Sequence, residues 1–153
     1  MQFDWAGGDV IVVDGTEVAY ADRAWFRERA EVQIGPERWL YRASGSWLRT
    51  PLVAELDGVE RFRAEPSGFF SVTWTVEAGA EPLQLTHAGI FTSRLHVKRS
   101  GVVIGEATRS GLFTTRSRLD LSEAVDLRVG CFLLWVAHVE FNRKQAGAGA
   151  TVT

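Results

Sequence analysis

Nine consecutive apolar residues, Val129 to Ala137 (VGCFLLWVA), lie inside a stretch patterned as a helix from Ser122 to about Arg143. At about 3.6 residues per turn the run covers roughly two and a half turns, so the middle of that helix has no polar face. Such a helix has to be enclosed. A bilayer could enclose it only with about 20 apolar residues, and Asp126, Arg128, His138 and Glu140 confine this run well below that length. Enclosure therefore falls to the rest of the chain. Because the preceding residues are patterned as short strands, the expected fold is mainly β: a closed antiparallel barrel of about 10–12 strands around a central hydrophobic C-terminal helix.

The strand signals are alternating or β-branched runs separated by Gly, Pro or Asp breaks. Val10 to Val13 and Thr16 to Ala21 flank Asp14-Gly15, and Trp47 to Glu55 and Val59 to Ala64 flank Asp57-Gly58. Both Asp-Gly pairs are tight-hairpin signals. Glu31 to Ile34 and Arg38 to Ala43 flank Gly35-Pro36. Phe69 to Glu77 (FFSVTWTVE) alternates most clearly, with Phe70, Val72, Trp74 and Val76 on one face. Leu83 to Thr86, Phe91 to Lys98, Val102 to Thr108 and Leu112 to Leu119 complete about ten runs. Turn signals every 8 to 12 residues or so favour a meander over alternating β-α units. Asp22 to Glu31 reads as a short helix or an irregular lead-in. Ser122 is the expected N-cap of the main helix. The expected organisation is one domain over 1–144, its helix at about 122–143, followed by a flexible tail, 145–153.

Charge is distributed unevenly although its total is near balance. Residues 1 to 22 hold Asp4, Asp9, Asp14, Glu17 and Asp22 with no Lys or Arg, whereas residues 94 to 118 hold six Lys or Arg against Glu106 alone. With no overall cationic excess, nucleic acid is not the expected partner. The single cysteine, Cys131, sits in the apolar run, so no intramolecular disulfide can form, which fits a reducing compartment. The opening residues show no basic-then-apolar secretion pattern, and no spanning segment is expected. The expectation is a cytoplasmic protein, with peripheral attachment to a membrane as a further option.

The strand series from about Trp25, the strand Gly-Val-Val-Ile-Gly-Glu-Ala at 101–107 and the closing DLRVGCFLLWVAHVEFNRK at 126–144 resemble the tubby C-terminal-like superfamily. This group includes tubby, the LURP-one-related proteins and the phospholipid scramblases. The resemblance implies a closed barrel of about twelve strands around a hydrophobic C-terminal helix, and lipid-facing biology. Tubby proteins bind phosphoinositides through surface basic residues, and scramblases act at membranes. This chain lacks the dense lysine and arginine clusters of the tubby lipid site. It also lacks the cysteine-rich segment and the acidic calcium motif of scramblases.

Among the residues themselves, Arg94-Leu-His-Val-Lys-Arg99 is the strongest candidate site. On a strand, Arg94, His96 and Lys98 share the outward face, spaced about 6.6 Å apart, while Leu95 and Val97 point inward. Arg99 extends the patch at the turn. Arg109, Arg116 and Arg118 enlarge it if the strands pair in chain order. Such a face suits the phosphate of an anionic lipid headgroup. Trp74 and Trp135 are expected to pack near one another in the core; for Trp39 and Trp47 a core position is also the favoured reading, with exposure in a groove or at a membrane as the alternative.

Signals for catalysis are poor. His87, His96 and His138 lack metal-ligand spacing. Cys131 is expected to be buried and inert. Ser44-Gly-Ser46 lacks the G-x-S-x-G elbow, and neither a P-loop nor a dinucleotide fingerprint is present. The expected function is a non-enzymatic module, without metal or cofactor, that recognises an anionic phospholipid or a protein partner on its outer surface. A lipocalin-like carrier of a small apolar ligand, with the helix packed outside, is the alternative. A purely protein-binding regulatory module is a third reading.

Overall fold

The computed structural model describes the chain except residues 6–8, 22–27, 46–49, 70, 90–92, 111–115 and 152–153; the side chains of 110 and 145–151 are likewise outside the description. Twelve strands close into one barrel: β1 (Gln2–Trp5), β2 (Val10–Val13), β3 (Thr16–Ala21), β4 (Arg29–Ile34), β5 (Glu37–Ala43), β6 (Leu52–Leu56), β7 (Val59–Ser67), β8 (Thr73–Glu77), β9 (Leu83–His87), β10 (Arg94–Arg99), β11 (Val102–Ser110) and β12 (Arg116–Leu121). Each strand pairs antiparallel with its sequence neighbours. The ring shuts where β1 meets β12, with Phe3 opposite Leu119 and Asp4 opposite Arg118. The Met1 amino group reinforces this seam by donating to the Leu121 carbonyl at 2.7 Å.

Alternation builds the core. Phe3 and Trp5, Ile11 and Val13, Val32 and Ile34, Trp39 and Tyr41, Trp74 and Val76, Leu95 and Val97, and Leu119 and Leu121 are buried, while the residues between them turn outward. The one helix among the described residues, α1 (Leu127–Thr151), is buried on all sides from Cys131 to Phe141. Its side chains meet strands around the whole ring. Phe132 packs on Tyr41 of β5 and Phe62 of β7, His138 meets Trp5 of β1 and Ser117 of β12, and Glu140 meets Trp74 of β8 and His87 of β9. The helix therefore occupies the lumen, and the arrangement with the helix outside is not adopted. Near its start, the helix comes so close to the wall that a Cβ on Gly130 would collide with the Phe3 ring.

The two rims differ. At one, Asp14-Gly15, Asp57-Gly58 and Ser100-Gly101 make two-residue turns with positive φ at both positions, the geometry that matches strand twist and that Asp-Gly pairs adopt readily. The β2–β3, β6–β7 and β10–β11 hairpins each also contain a register shift. The C-terminal ends of β1, β3, β5, β7, β9 and β11 lie at the opposite rim, where the polar half of the helix emerges.

Several element boundaries differ from expectation. Strand β1 was not anticipated, because four residues carry too little periodicity to stand out. The helix starts at Leu127, since Ser122 is occupied elsewhere, its hydroxyl donating to the Ile104 carbonyl at 2.9 Å. Asp126 is the cap instead, its carboxylate accepting from the Arg128 amide at 2.9 Å. At its far end the helix continues past Arg143 to Thr151. Arg29 to Glu31 belong to β4 rather than to a helix, and the remainder of that lead-in, 22–27, lies outside the described residues. The Phe69–Glu77 run is strand only from Thr73, and Phe69 is 85% exposed. Trp39 is buried and stacked on Phe62; Trp47 lies outside the described residues.

Candidate functional site

Strands β10, β11 and β12 pair in chain order, so the basic residues of this segment share one wall of the barrel. Across it, Arg94 is level with Thr108 and then Arg118, and His96 is level with Glu106 and then Asp120. Leu95 and Val97 are buried, as alternation requires. The face is not a uniform cationic field, however, because closure interleaves it with carboxylates. Arg94 pairs with Glu106 at 3.1 Å, Arg99 with Glu81 and Glu123, and Arg118 with Asp120 at 3.2 Å and Asp4 at 3.8 Å. His96 edges a shallow depression of about 450 Å³ whose other walls include Val103, Glu106 and Asp120.

Arg109 departs from the expected outward patch. It follows buried Ala107 on the inward parity of β11 and sits level with buried Ser117. Its guanidinium donates to the Asn142 amide oxygen and lies 5.7 Å from the Phe141 ring centroid, both on the helix. Burial lowers its pKa from the usual arginine value. Arg116 is on the exposed face, and among the described residues neither it nor Lys98 makes an ion pair.

Lys98 stands at the tip of the β10–β11 hairpin. There Arg99 is level with Val102, and Lys98 with Val103, across the Ser100-Gly101 turn. Val102 is 64% and Val103 49% exposed, two adjacent aliphatic side chains beside two cations. The register shift between Val97 and Lys98 makes Ile104 the extra residue on β11; it stays buried, while Val102 and Val103, level with Arg99 and Lys98 next to the turn, are both exposed.

Inside the rim where the helix emerges, the second half of the helix carries a polar cluster. Both oxygens of buried Glu140 are engaged, one by the Trp74 indole N–H at 3.0 Å and the other by His87 Nε2 at 2.8 Å. Arg143 holds Glu28 through two nitrogens, at 2.5 and 3.1 Å, and lies over the Trp74 ring. His138 bridges Ser117 Oγ, 2.9 Å from Nδ1, and Asn142 Nδ2, 3.2 Å from Nε2. Serine, histidine and asparagine in line resemble a nucleophile relay, but the protons run the wrong way. Arg109 donates to Asn142 Oδ1, which leaves the Asn142 amide N–H facing His138 Nε2. Nε2 is then the acceptor, and the ring proton sits on Nδ1, directed at Ser117. A nucleophilic serine needs a histidine that accepts its proton. Burial, then the nearby Arg109 charge, push the His138 pKa down to about 3, so the ring stays neutral.

Cys131 is buried, and desolvation raises its thiol pKa to about 12, a state without nucleophilic reactivity near neutral pH. Among the described residues no group of three or more His, Cys, Asp or Glu side chains could hold a metal ion. Among the described residues no helix is long and apolar enough to cross a membrane.

The sequence pointed to the outer basic run, with Lys98 and with Arg99 at the turn, but not to the exposed valines beside them or to the internal cluster. The adjacent pair Val102-Val103 was a signal for the first, since strict alternation would bury one of them. The second left a trace in His138, Glu140, Asn142 and Arg143, polar residues on a helix that must be enclosed; their partners are dispersed from Glu28 to Ser117. No family model, curated protein or solved structure matches this chain.

Proposed function

We propose that this protein is a non-enzymatic module that docks on anionic phospholipid surfaces through the tip of the β10–β11 hairpin. The observation that carries this reading is the pairing, in register, of exposed Val102 and Val103 with Arg99 and Lys98. Aliphatic side chains at a rigid turn can enter the headgroup region, while adjacent cations gain about 1 kcal/mol each near an anionic surface. Lys98 is the more available of the two, since Arg99 is engaged by Glu81 and Glu123. Arg94, His96, Arg116 and Arg118 flank the tip as a secondary, largely compensated ring of charge. The filled lumen supports a role at the outer surface, and the tubby-like resemblance of the chain points to the same class of ligand.

The test is co-sedimentation with vesicles of phosphatidylcholine alone, with phosphatidylserine or with phosphoinositide, at low and physiological salt. Binding confined to anionic vesicles and weakened by salt is expected. Lys98→Glu should weaken it by about tenfold or more, given two units of charge change near the surface, and Val102→Asp with Val103→Asp should abolish it while leaving the melting temperature nearly unchanged. Absence of binding to every anionic vesicle, or binding indifferent to both changes, would overturn the reading.

A further inference from the structure

We propose that a groove on the outer wall opposite the hairpin docks an extended, Lys- or Arg-bearing peptide segment of a partner protein. The groove, about 620 Å³, crosses β3, β4 and β5 and ends at the β6–β7 turn. Its size is within the range of about 300–1,000 Å³ typical of ligand sites.

Register defines its surface. Tyr20, Gln33 and Arg38 form one row across β3, β4 and β5, and Glu31, Leu40 and Glu55 form the next across β4, β5 and β6. Elsewhere on the barrel many carboxylates are neutralised in place: Glu106, Asp120, Asp4, Glu81, Glu123, Glu60 and Glu65 all face an arginine. In the groove only Glu55 is held this way, by Arg42 at 2.6 Å. Among the described residues Asp9, Glu31 and Asp57 make no ion pair, and Arg38 is the one cation lining the groove. The result is a concave surface with uncompensated negative charge, a Tyr20 side chain 54% exposed and an aliphatic floor at Leu40.

A basic peptide matches all three properties. Same-face side chains of an extended segment repeat at about 6.6 Å, the spacing of adjacent rows on a strand. The aliphatic stems of Lys or Arg can lie along Leu40 and the Tyr20 ring while their heads reach the carboxylates. A free polyamine would answer the charge but has no backbone or side-chain pattern to answer the rows. The inference does not depend on membrane docking, although the two are compatible. In the ring of strands, β4 and β5 lie diametrically across from β10 and β11, so the groove and the hairpin belong to opposite walls of the barrel.

The test is fluorescence anisotropy with the full chain and a labelled peptide of about eight residues alternating Lys and Thr, at about 0.05 and 0.15 M salt. Glu31→Gln with Asp57→Asn is the groove variant; asparagine keeps the left-handed turn that Asp57 makes before Gly58. Glu17→Gln with Glu77→Gln makes the same change in net charge away from the groove. The expected result is saturable binding weakened at least about tenfold, roughly 1.4 kcal/mol, by the groove variant and less than about twofold by the control. No binding at low salt, equal weakening by both variants, or displacement of the peptide by spermine at equal charge would overturn the proposal.

Discussion

At the residue scale, enclosure turns single polar side chains into decisive ones. His138 is fully buried between Ser117 and Asn142, faces Trp5 edge-on at 4.9 Å and lies near the Arg109 charge. Its pKa is depressed from 6.5 to about 3, so the unfolded chain takes up a proton in the pH window between these values and the native state does not. Stability is therefore intact above about 6.5 and falls as pH drops, by up to about 1.4 kcal/mol per unit until about 3. Urea unfolding of the native protein between pH 7 and 4 should show this loss, and a His138→Gln variant should show a flatter profile even though it is less stable at pH 7. An equal slope in both would mean that the carboxylates carry the whole dependence. The place of that histidine on an enclosed helix was legible in the sequence, but its tautomer was not. The tautomer depends on Arg109 reaching Asn142, and nothing in the order of residues shows that Arg109 faces inward.

At the element scale, the helix was the most legible part of the chain, because nine apolar residues in succession leave no alternative to burial. Leu133 and Leu134 are both fully buried. A carboxylate there would be unpaired inside the barrel, a cost of several kcal/mol that exceeds much of a domain's net stability. Leu134→Asp should yield insoluble or unfolded protein by far-UV circular dichroism, whereas Leu134→Met should lose less than about 1.5 kcal/mol. A folded Asp variant would show that the helix is dispensable to the barrel. Asp-Gly turns were equally legible, since the positive φ they accept is a local property. Strand edges were not, as at Trp47–Glu55, where Thr50 and Pro51 lie outside β6 and residues 47–49 are outside the described residues. Ends of this kind are set by which residues find partners across the ring.

At the scale of the whole molecule, closure is the central event. The acidic start of the chain and the basic segment near its end look like two separate charged regions in sequence, but β1 and β12 are neighbours, and Asp4 and Asp120 flank Arg118. The seam therefore sets one carboxylate of the acidic start, Asp4, against the basic segment. It also removes the sheet edges. Deletion of residues 1–8 should leave one edge of β2 and one of β12 unpaired and uncover the helix near Gly130, where Phe3 packs. The expected outcome is concentration-dependent oligomers by size-exclusion chromatography with light scattering. A truncated chain that remains monomeric and keeps its melting temperature would show that β1 is not needed to hold the ring.

Local chemistry alone was enough to specify antiparallel strands, their tight turns, a buried helix and hence a barrel closed around it. Those features follow from periodicity, turn propensity and the cost of exposing apolar surface, all of which act over a few residues. Tertiary structure alone decided which basic residues stay available. Pairing across β9 to β12 and β1 compensates Arg94, Arg99 and Arg118, turns Arg109 inward and leaves Lys98 beside two exposed valines. It also placed Asp9, Glu31 and Asp57 around one groove. The reason is that the state of a charge depends on its neighbours in space, and in a ring of twelve strands those neighbours come from both ends of the chain.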